Sequence, residues 1–278
     1  MIQLKTILTL DNPFIAAASG LAIVDAKFMI AADDENFVAL YDEEKKSGIS
    51  IPIFPGDLPL DLHKRKKIKP DIESLVYLPD SKIMAVPSGS ALNRDRGALL
   101  RGDGSKIKDL SFQNFYAELR KTFNELNIEG ACVINEEVWF FQRGNGSLGE
   151  NGIVKTTLVS CMDGQPTILE IQHISLGQFQ GVNLSFTDVS SWNSHILFLA
   201  VAEDSKSTYL DGNVVGSFLG LMNSKGGILK IEELELTSKA EGLCAQDDNF
   251  FLVIDDDNRK LPSKLFSGTI PVEWNIDF

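Results

Sequence analysis

The sequence predicts an all-β fold, a five-bladed β-propeller closed by its N-terminal strand, with one inserted helix. Three observations carry this expectation. A segment of one design recurs five times at a spacing of about 55 residues, the intervening stretches alternate as strands do, and the two chain ends add up to one more step of the same length. All 278 residues are expected to form a single propeller domain, 1–278.

The recurring segment is a polar residue, a small or apolar stretch, a polar turn, and an apolar run ending in polar residues. It reads SGLAIVDAKFMIAADDEN from Ser19, ESLVYLPDSKIMAVPSGSA from Glu73, and EGACVINEEVWFFQRGNG from Glu129. It returns as TDVSSWNSHILFLAVAEDS from Thr187 and EGLCAQDDNFFLVIDDDN from Glu241. Third-strand candidates follow each copy: NFVALYD, RGALLRGD, NGIVKTTLV, GSFLGLM and SKLFSGTI. Fourth-strand candidates follow three: SGISIPIF, PTILEIQHISL and GGILKIEELEL. Apolar and polar residues alternate with the two-residue period of a half-buried strand, and Gly, Asn and Asp turns separate the runs. Four strands per radial unit is the propeller pattern.

The last unit lacks a fourth strand, and the first ten residues, MIQLKTILTL, supply a spare one of matching pattern. Pairing them into the final unit closes the ring and leaves no open edge. Six blades of about 46 residues also suit the length, but five copies are visible.

Two insertions interrupt the rhythm. Residues 54–71, FPGDLPLDLHKRKKIKPD, read as an ordered loop over one face. The basic run His63 to Lys69 within it reads as solvated, with a polyanion contact as the sharper alternative. Residues 111–127, SFQNFYAELRKTFNELN, read as a helix capped by Ser111. Its stripe of Phe112, Phe115, Leu119, Phe123 and Leu126 covers a blade edge, or offers a partner groove.

Composition bounds the function. Hydrophobic content of 44% and charged content of 23% suit a globular chain. A formal net charge of −13 argues against nucleic acid as a partner of the whole molecule. The N-terminus has no signal-peptide layout, and no apolar run reaches the length of a membrane span. Cys132, Cys161 and Cys244 show no paired spacing, which points to a reducing, cytoplasmic setting. Cys132 and Cys244 occupy matching positions and read as small buried residues rather than nucleophiles.

Two columns carry the candidate chemistry. The residue before the small position reads Ser19, Glu73, Glu129, Thr187 and Glu241. The residue after the second strand reads Asp33, Ser88, Arg143, Glu203 and Asp255, with Asp34, Asp204, Asp256, Asp257 and Asn145 beside them. The hairpin folds both ends of its apolar segment back together, so the columns are expected to meet at one mouth of a central channel. Carboxylates crowded there share protons or bind a hard cation such as Ca²⁺. The possible metal set is Glu73, Glu129, Glu241 and Asp255. His63, His173 and His195 lie outside both columns, which points away from transition metals. Glu129 and Glu241 are the catalytic candidates if the mouth is an active site, and a purely structural polar network is the third reading. Arg143 either neutralises Glu129 or Glu73, or holds a ligand anion by its planar fork. Arg94 and Arg96 are placed on the same rim. No nucleophile elbow, P-loop, dinucleotide fingerprint or HExxH is present.

The segments KPDIESL (69–75), PSGSALNRDRG (87–97), IEGACV with FQRGN, and AEGLC with VIDDDN resemble those of a group of uncharacterised bacterial propeller-like proteins. That group is distantly similar to the SdiA-regulated and esterase-like phytase families. The resemblance implies a propeller with a polar channel, with Glu73, Glu129 and Glu241 as channel-facing acids and Arg143 and Asp255 beside them. For the phytase-like relatives it also implies calcium and phosphoester hydrolysis. Two functional classes stay open: a module binding a small molecule, ion, peptide or protein partner, and a metal-assisted ester or phosphoester hydrolase.

Overall fold

The computed structural model describes residues 1–145, 149–204, 212–256 and 258–274. These residues form five antiparallel sheets arranged radially. The chain opens with β1 (Lys5–Thr9), which belongs to the last sheet. The first blade is β2 (Ala18–Val24), β3 (Lys27–Ala32), β4 (Phe37–Asp42) and β5 (Ser47–Pro52). After the helix α1 (Leu62–Ile68), the second blade is β6 (Ile72–Leu78), β7 (Lys82–Pro87), β8 (Arg96–Arg101) and β9 (Lys106–Ser111). The helix α2 (Gln113–Leu119) leads to the third: β10 (Ile128–Ile134), β11 (Glu137–Gln142), β12 (Asn151–Thr157), the helix α3 (Leu158–Asp163) and β13 (Ile168–Ile174). The two-residue β14 (Gln178–Phe179) joins the fourth blade, β15 (Val182–Trp192), β16 (His195–Asp204), β17 (Asn213–Asn223) and β18 (Ile228–Glu233). The fifth is β19 (Lys239–Gln246), β20 (Asn249–Asp255), β21 (Lys264–Thr269) and, outermost, β1.

The ring closes as the sequence predicts. β1 runs antiparallel to β21, with Lys5 opposite Ser267 and Thr9 opposite Lys264. The residues before it also clamp the neighbouring blade, since Ile2 N–H donates to Glu233 O at 2.8 Å and Ile2 O accepts from Glu235 N–H at 2.9 Å. Leu8 and Leu10 are buried in the packing of the fifth blade against the first.

The apolar residues lie between the blades in five clusters, one for each interface. The cluster between the second and third blades takes in the α2 stripe, with Phe112, Phe115, Leu119, Phe123 and Leu126 all buried beside Val76 and Phe140. The stripe covers blade edges. The helix itself is shorter than predicted and Ser111 does not cap it. Ser111 pairs with Arg96 as the last residue of β9, and Phe112 takes the N-cap position without a side-chain bond. Burial of the Phe112 ring outweighs local capping here. The basic run is a second correction. It forms α1, whose first turn is capped by Asp61 accepting from Lys64 N–H at 2.9 Å, and Lys69 just beyond it is buried.

All five innermost strands share one irregularity. β2, β6, β10, β15 and β19 each slip register against their partner, at Ala18/Gly20, Ile72/Ser74, Ile128/Gly130, Phe186/Asp188 and Ala240/Leu243. The residue left unpaired is Ser19, Glu73, Glu129 or Thr187, and in β19 Glu241 together with Gly242. A β-bulge re-aims a side chain that the pleat would bury between sheets. Glycines beside three of the bulges, Gly20, Gly130 and Gly242, let the inner strands converge: a Cβ on Gly130 would lie 3.0 Å from Val189 N, and one on Gly242 2.7 Å from Ser19 O.

Candidate functional site at the polar mouth

The bulges open onto a cavity of about 540 Å³. Ser19, Glu73, Glu129 and Glu241 from the first column line it, as do Asp33, Arg143, Glu203 and Asp255 from the second, with Asn145 and Arg94. Thr187 does not. Its hydroxyl donates to Ala240 O at 2.6 Å, as the Ser19 hydroxyl donates to Ile72 O at the same distance. In each case the acceptor precedes the bulged glutamate of the next blade, so the two hydroxyl positions stitch neighbouring blades where the other three present carboxyls. Ser88 is fully buried and hydrogen-bonds Asp71 and Ser90. Asp34 is buried against Arg65 and Arg259. Asp204 and Asp256 are not among the lining residues, and Asp257 lies outside the described residues. Arg96 is also apart from the cavity. It pairs with Asp109 at 2.8 Å and its guanidinium lies 4.9 Å from the Phe54 ring centre, half-exposed on the outer part of the second blade.

Basic side chains interleave with the acids. Arg143 bonds Glu129 at 3.2 Å and also pairs with Glu203. Glu129 further accepts from Asn127 Nδ2 at 2.5 Å, and Glu203 from Gly212 N–H at 2.7 Å. Lys239 pairs with Glu241. Lys69 reaches both Asp33 and Asp71, the latter at 2.7 Å, and Arg94 meets Asp71 at 2.8 Å. Lys69, Asp71, Asn127 and Lys239 were not in the sequence-derived columns. Three of them stand two residues before a column glutamate (Asp71, Asn127 and Lys239), the spacing that keeps side chains on one face of a strand.

The electrostatics divide the carboxyls. Burial, with Glu129 adding to it, pushes Glu241 up to about 8 against the opposing charge of Lys239. Burial, then Glu129, Asp71 and Asp33, push Glu73 well above the usual carboxylate range. Burial works to raise Glu203 and Asp71 as well, but Arg143 and Lys239 hold Glu203 below its ordinary value, and Lys69 and Arg94 do the same for Asp71. Burial opposes the charge on Lys69, and Asp33, Asp71 and Glu73 overcome it.

Calcium suits this arrangement poorly. The oxygens of Asp33, Asp71 and Glu73 lie within 4.8 Å of one another, as a hard cation would want. The Lys69 ammonium already occupies that cluster, bonded to two of the three acids. Glu129 and Glu241, two of the other three expected ligands, are engaged by Arg143 and Lys239, and the third, Asp255, lines the same cavity. A metal would have to displace built-in cations.

Asp188 and Ser74, both buried, meet beneath the cavity and link the second and fourth blades. On the far side a smaller pocket of about 170 Å³ is lined mainly by apolar residues, with Cys132 and Cys244 among them. Burial, with Asp188 adding to it, pushes both thiols well up, so the matching cysteines are packing residues. Among the described residues no helix is long and apolar enough to cross a membrane.

The model of a family of unknown function, DUF6929, matches residues 14–270. No curated protein matches. Solved structures of similar fold include the glutaminyl cyclase of Myxococcus xanthus, at 9% identity over 97% of this chain and 98% of that one, with a TM-score of 0.58. A glycosyl hydrolase from Bacteroides ovatus is similar at 12% identity over 91% of this chain and 83% of that one, TM-score 0.53. The tail fibre of Staphylococcus aureus phage P68 is similar at 11% identity over 98% of this chain and 54% of that one, TM-score 0.54. At such identities the likeness is one of fold.

Proposed function

The chain belongs to the DUF6929 family, and we propose that it is a binding module that holds a small polar ligand in the mouth of its channel. The observation that carries this reading is the fivefold bulge, which brings Ser19, Glu73, Glu129 and Glu241 of four blades to one cavity of about 540 Å³. That volume suits a small molecule. The walls are preorganised, because Arg143, Lys69 and Lys239 are fixed by ion pairs before anything binds.

The test is a thermal-shift and crystal-soaking panel of small amines, carboxylates, phosphates and polyols. A ligand of this site raises the melting temperature with concentration, by about 2.7 kcal/mol of stability at a hundred times its Kd, and appears in the mouth. If no class binds at millimolar concentration, the reading fails.

A second reading is hydrolysis of an ester or phosphoester, the activity implied by the sequence resemblance. It draws on Glu241, a carboxyl pushed up to about 8 and therefore suited to general acid–base work near neutral pH. The substitution Glu241→Gln separates the two. A hydrolase loses turnover while retaining ligand affinity, and a binding module has no turnover to lose.

A further inference from the structure

The cavity wall is nearly balanced in charge except at one place. Asp33, Asp71, Glu129, Glu203 and Glu241 each have a basic partner from the chain itself. Among the described residues Glu73 has no hydrogen bond and no ion pair. It faces the cavity from the second blade with Asp33 and Asp71 beside it. Three carboxyl groups there share two cations, Lys69, which bonds Asp33 and Asp71, and Arg94, which bonds Asp71, and neither bonds Glu73. Asp33 Oδ1 is also buried without a donor.

A second observation comes from the neighbouring third blade. Arg143 is 3% exposed and lines the same cavity, and its Nε has no acceptor. Asn145 Oδ1, beside it in the lining, has no donor. A buried polar group without a partner costs about 1–3 kcal/mol. The mouth therefore leaves acceptors open at Glu73, Asp33 and Asn145, and a donor open at Arg143. The described lining holds no Phe, Tyr or Trp on which a sugar ring or base would stack.

Resting on the reading of this mouth as a binding site, we infer that its ligand carries an ammonium group seated on Glu73, with a hydrogen-bond acceptor close to the ammonium for Arg143. An α-amino carbonyl compound is the simplest member of that class. Its ammonium supplies a countercharge that favours the ionised form of Glu73, and donors for Glu73 and Asp33 together. Its carbonyl supplies the acceptor.

The experiment is calorimetric titration of the full chain with alaninamide, N-acetylalaninamide and inorganic phosphate, on the wild type and on Glu73→Gln. Alaninamide is expected to bind, and acetylation, which removes the ammonium, to weaken it at least tenfold. Glu73→Gln is expected to weaken alaninamide by a similar factor without lowering the melting temperature, since the replaced carboxyl has no partner to lose. Equal binding of the acetylated compound, binding of phosphate alone, or indifference to Glu73→Gln overturns the ammonium assignment and leaves the mouth standing as a ligand site. Failure of all three probes while another class of the wider panel binds there has the same meaning. Failure of every class removes the binding reading itself.

Discussion

Ser74 and Asp188 meet across the channel axis: the Ser74 hydroxyl donates to Asp188 Oδ1 at 3.0 Å from 114 residues away in the chain. The two belong to the second and fourth blades, which are not neighbours in the ring. Leu243 N–H donates to the other carboxyl oxygen at 2.7 Å, and Ala131 N–H to the Ser74 hydroxyl at 3.1 Å. Four of the five inner strands are thus tied through two side chains at the level where glycines occupy the other blades. Burial pushes the Asp188 carboxyl well above its ordinary range, against the pull of the Leu243 and Ser74 donors. Asp188→Ala strips partners from Ser74 and Leu243 and is expected to cost about 2–4 kcal/mol. Asp188→Asn keeps a carbonyl for Leu243 but turns an amide donor toward the Ser74 hydroxyl in place of its acceptor, and is expected to cost less than the alanine variant, about 1–2 kcal/mol. Urea unfolding measures both, and equal losses would contradict this account of the link.

The ring seam depends on the first ten residues. β1 completes the fifth blade, and Ile2 reaches the fourth. Deleting residues 1–9 removes the buried side chains of Ile2 and Leu8 and exposes the β21 edge. Each buried side chain is worth about 1.5–3 kcal/mol, and an open edge invites pairing with other chains. The truncated protein is expected to melt well below the intact one and to associate at high concentration. Leu8→Ala alone should cost about 2–4 kcal/mol without association. Differential scanning calorimetry with light scattering reads both effects.

The architecture was legible because many residues repeat the same information. Each blade carries the two-residue alternation, and five copies of the inner hairpin share one spacing. The bulged column was legible for the same reason, since Glu73, Glu129 and Glu241 hold equivalent places. The cations were harder to read. Lys69 belongs to a basic run whose other members are exposed or partly exposed, and only the path of the chain after α1 turns it inward. Arg94 and Arg96 are two residues apart in NRDRG, and spacing gives no reason to separate them. The boundary of β8 does so: Arg96 begins the strand and points outward, and Arg94 stays in the loop over the mouth. Ser111 looked like a cap because local propensity favours serine there, and burial of Phe112 decided otherwise.

The two hydroxyl positions of the bulged column have a testable role of their own. Thr187 is fully buried, and its hydroxyl is the bond between the fourth and fifth blades at Ala240 O. Thr187→Val preserves shape and removes the donor. It is expected to cost about 1–3 kcal/mol, the penalty of an unpaired buried carbonyl. Thr187→Ser keeps the donor and should cost less, through the lost methyl alone. Thr187→Glu, which copies the other three blades, should be the worst of the series, since it forces a longer, ionisable side chain into a fully buried position. Melting temperatures of the three variants give the ranking, and a Val variant as stable as the Ser variant would remove the stitch from the argument.

The mouth also fixes how stability changes with pH. Glu241 rises from an ordinary 4.5 to about 8 on folding, so between those values the folded chain holds a proton that the unfolded chain has released. Stability from this group is complete below about pH 4.5 and is lost as pH rises through 8. Glu73 and Asp188, also raised, act in the same direction. Asp71 and Glu203 act the opposite way: both are lowered, so their contribution is present above the ordinary carboxylate range and disappears in acid. Stability is therefore expected to peak in mild acid near pH 5 and to decline toward pH 8. Glu241→Gln carries no titrating proton. It should flatten the decline by an amount on the order of 1–4 kcal/mol while changing little at pH 5. Lys239 remains beside Glu129 and Glu203 in that variant, so its charge keeps partners and the fold should survive. Unfolding free energies across pH 4.5–8.5 for the two proteins measure the difference, and parallel profiles would mean that Glu241 is already ionised at neutral pH in its pair with Lys239.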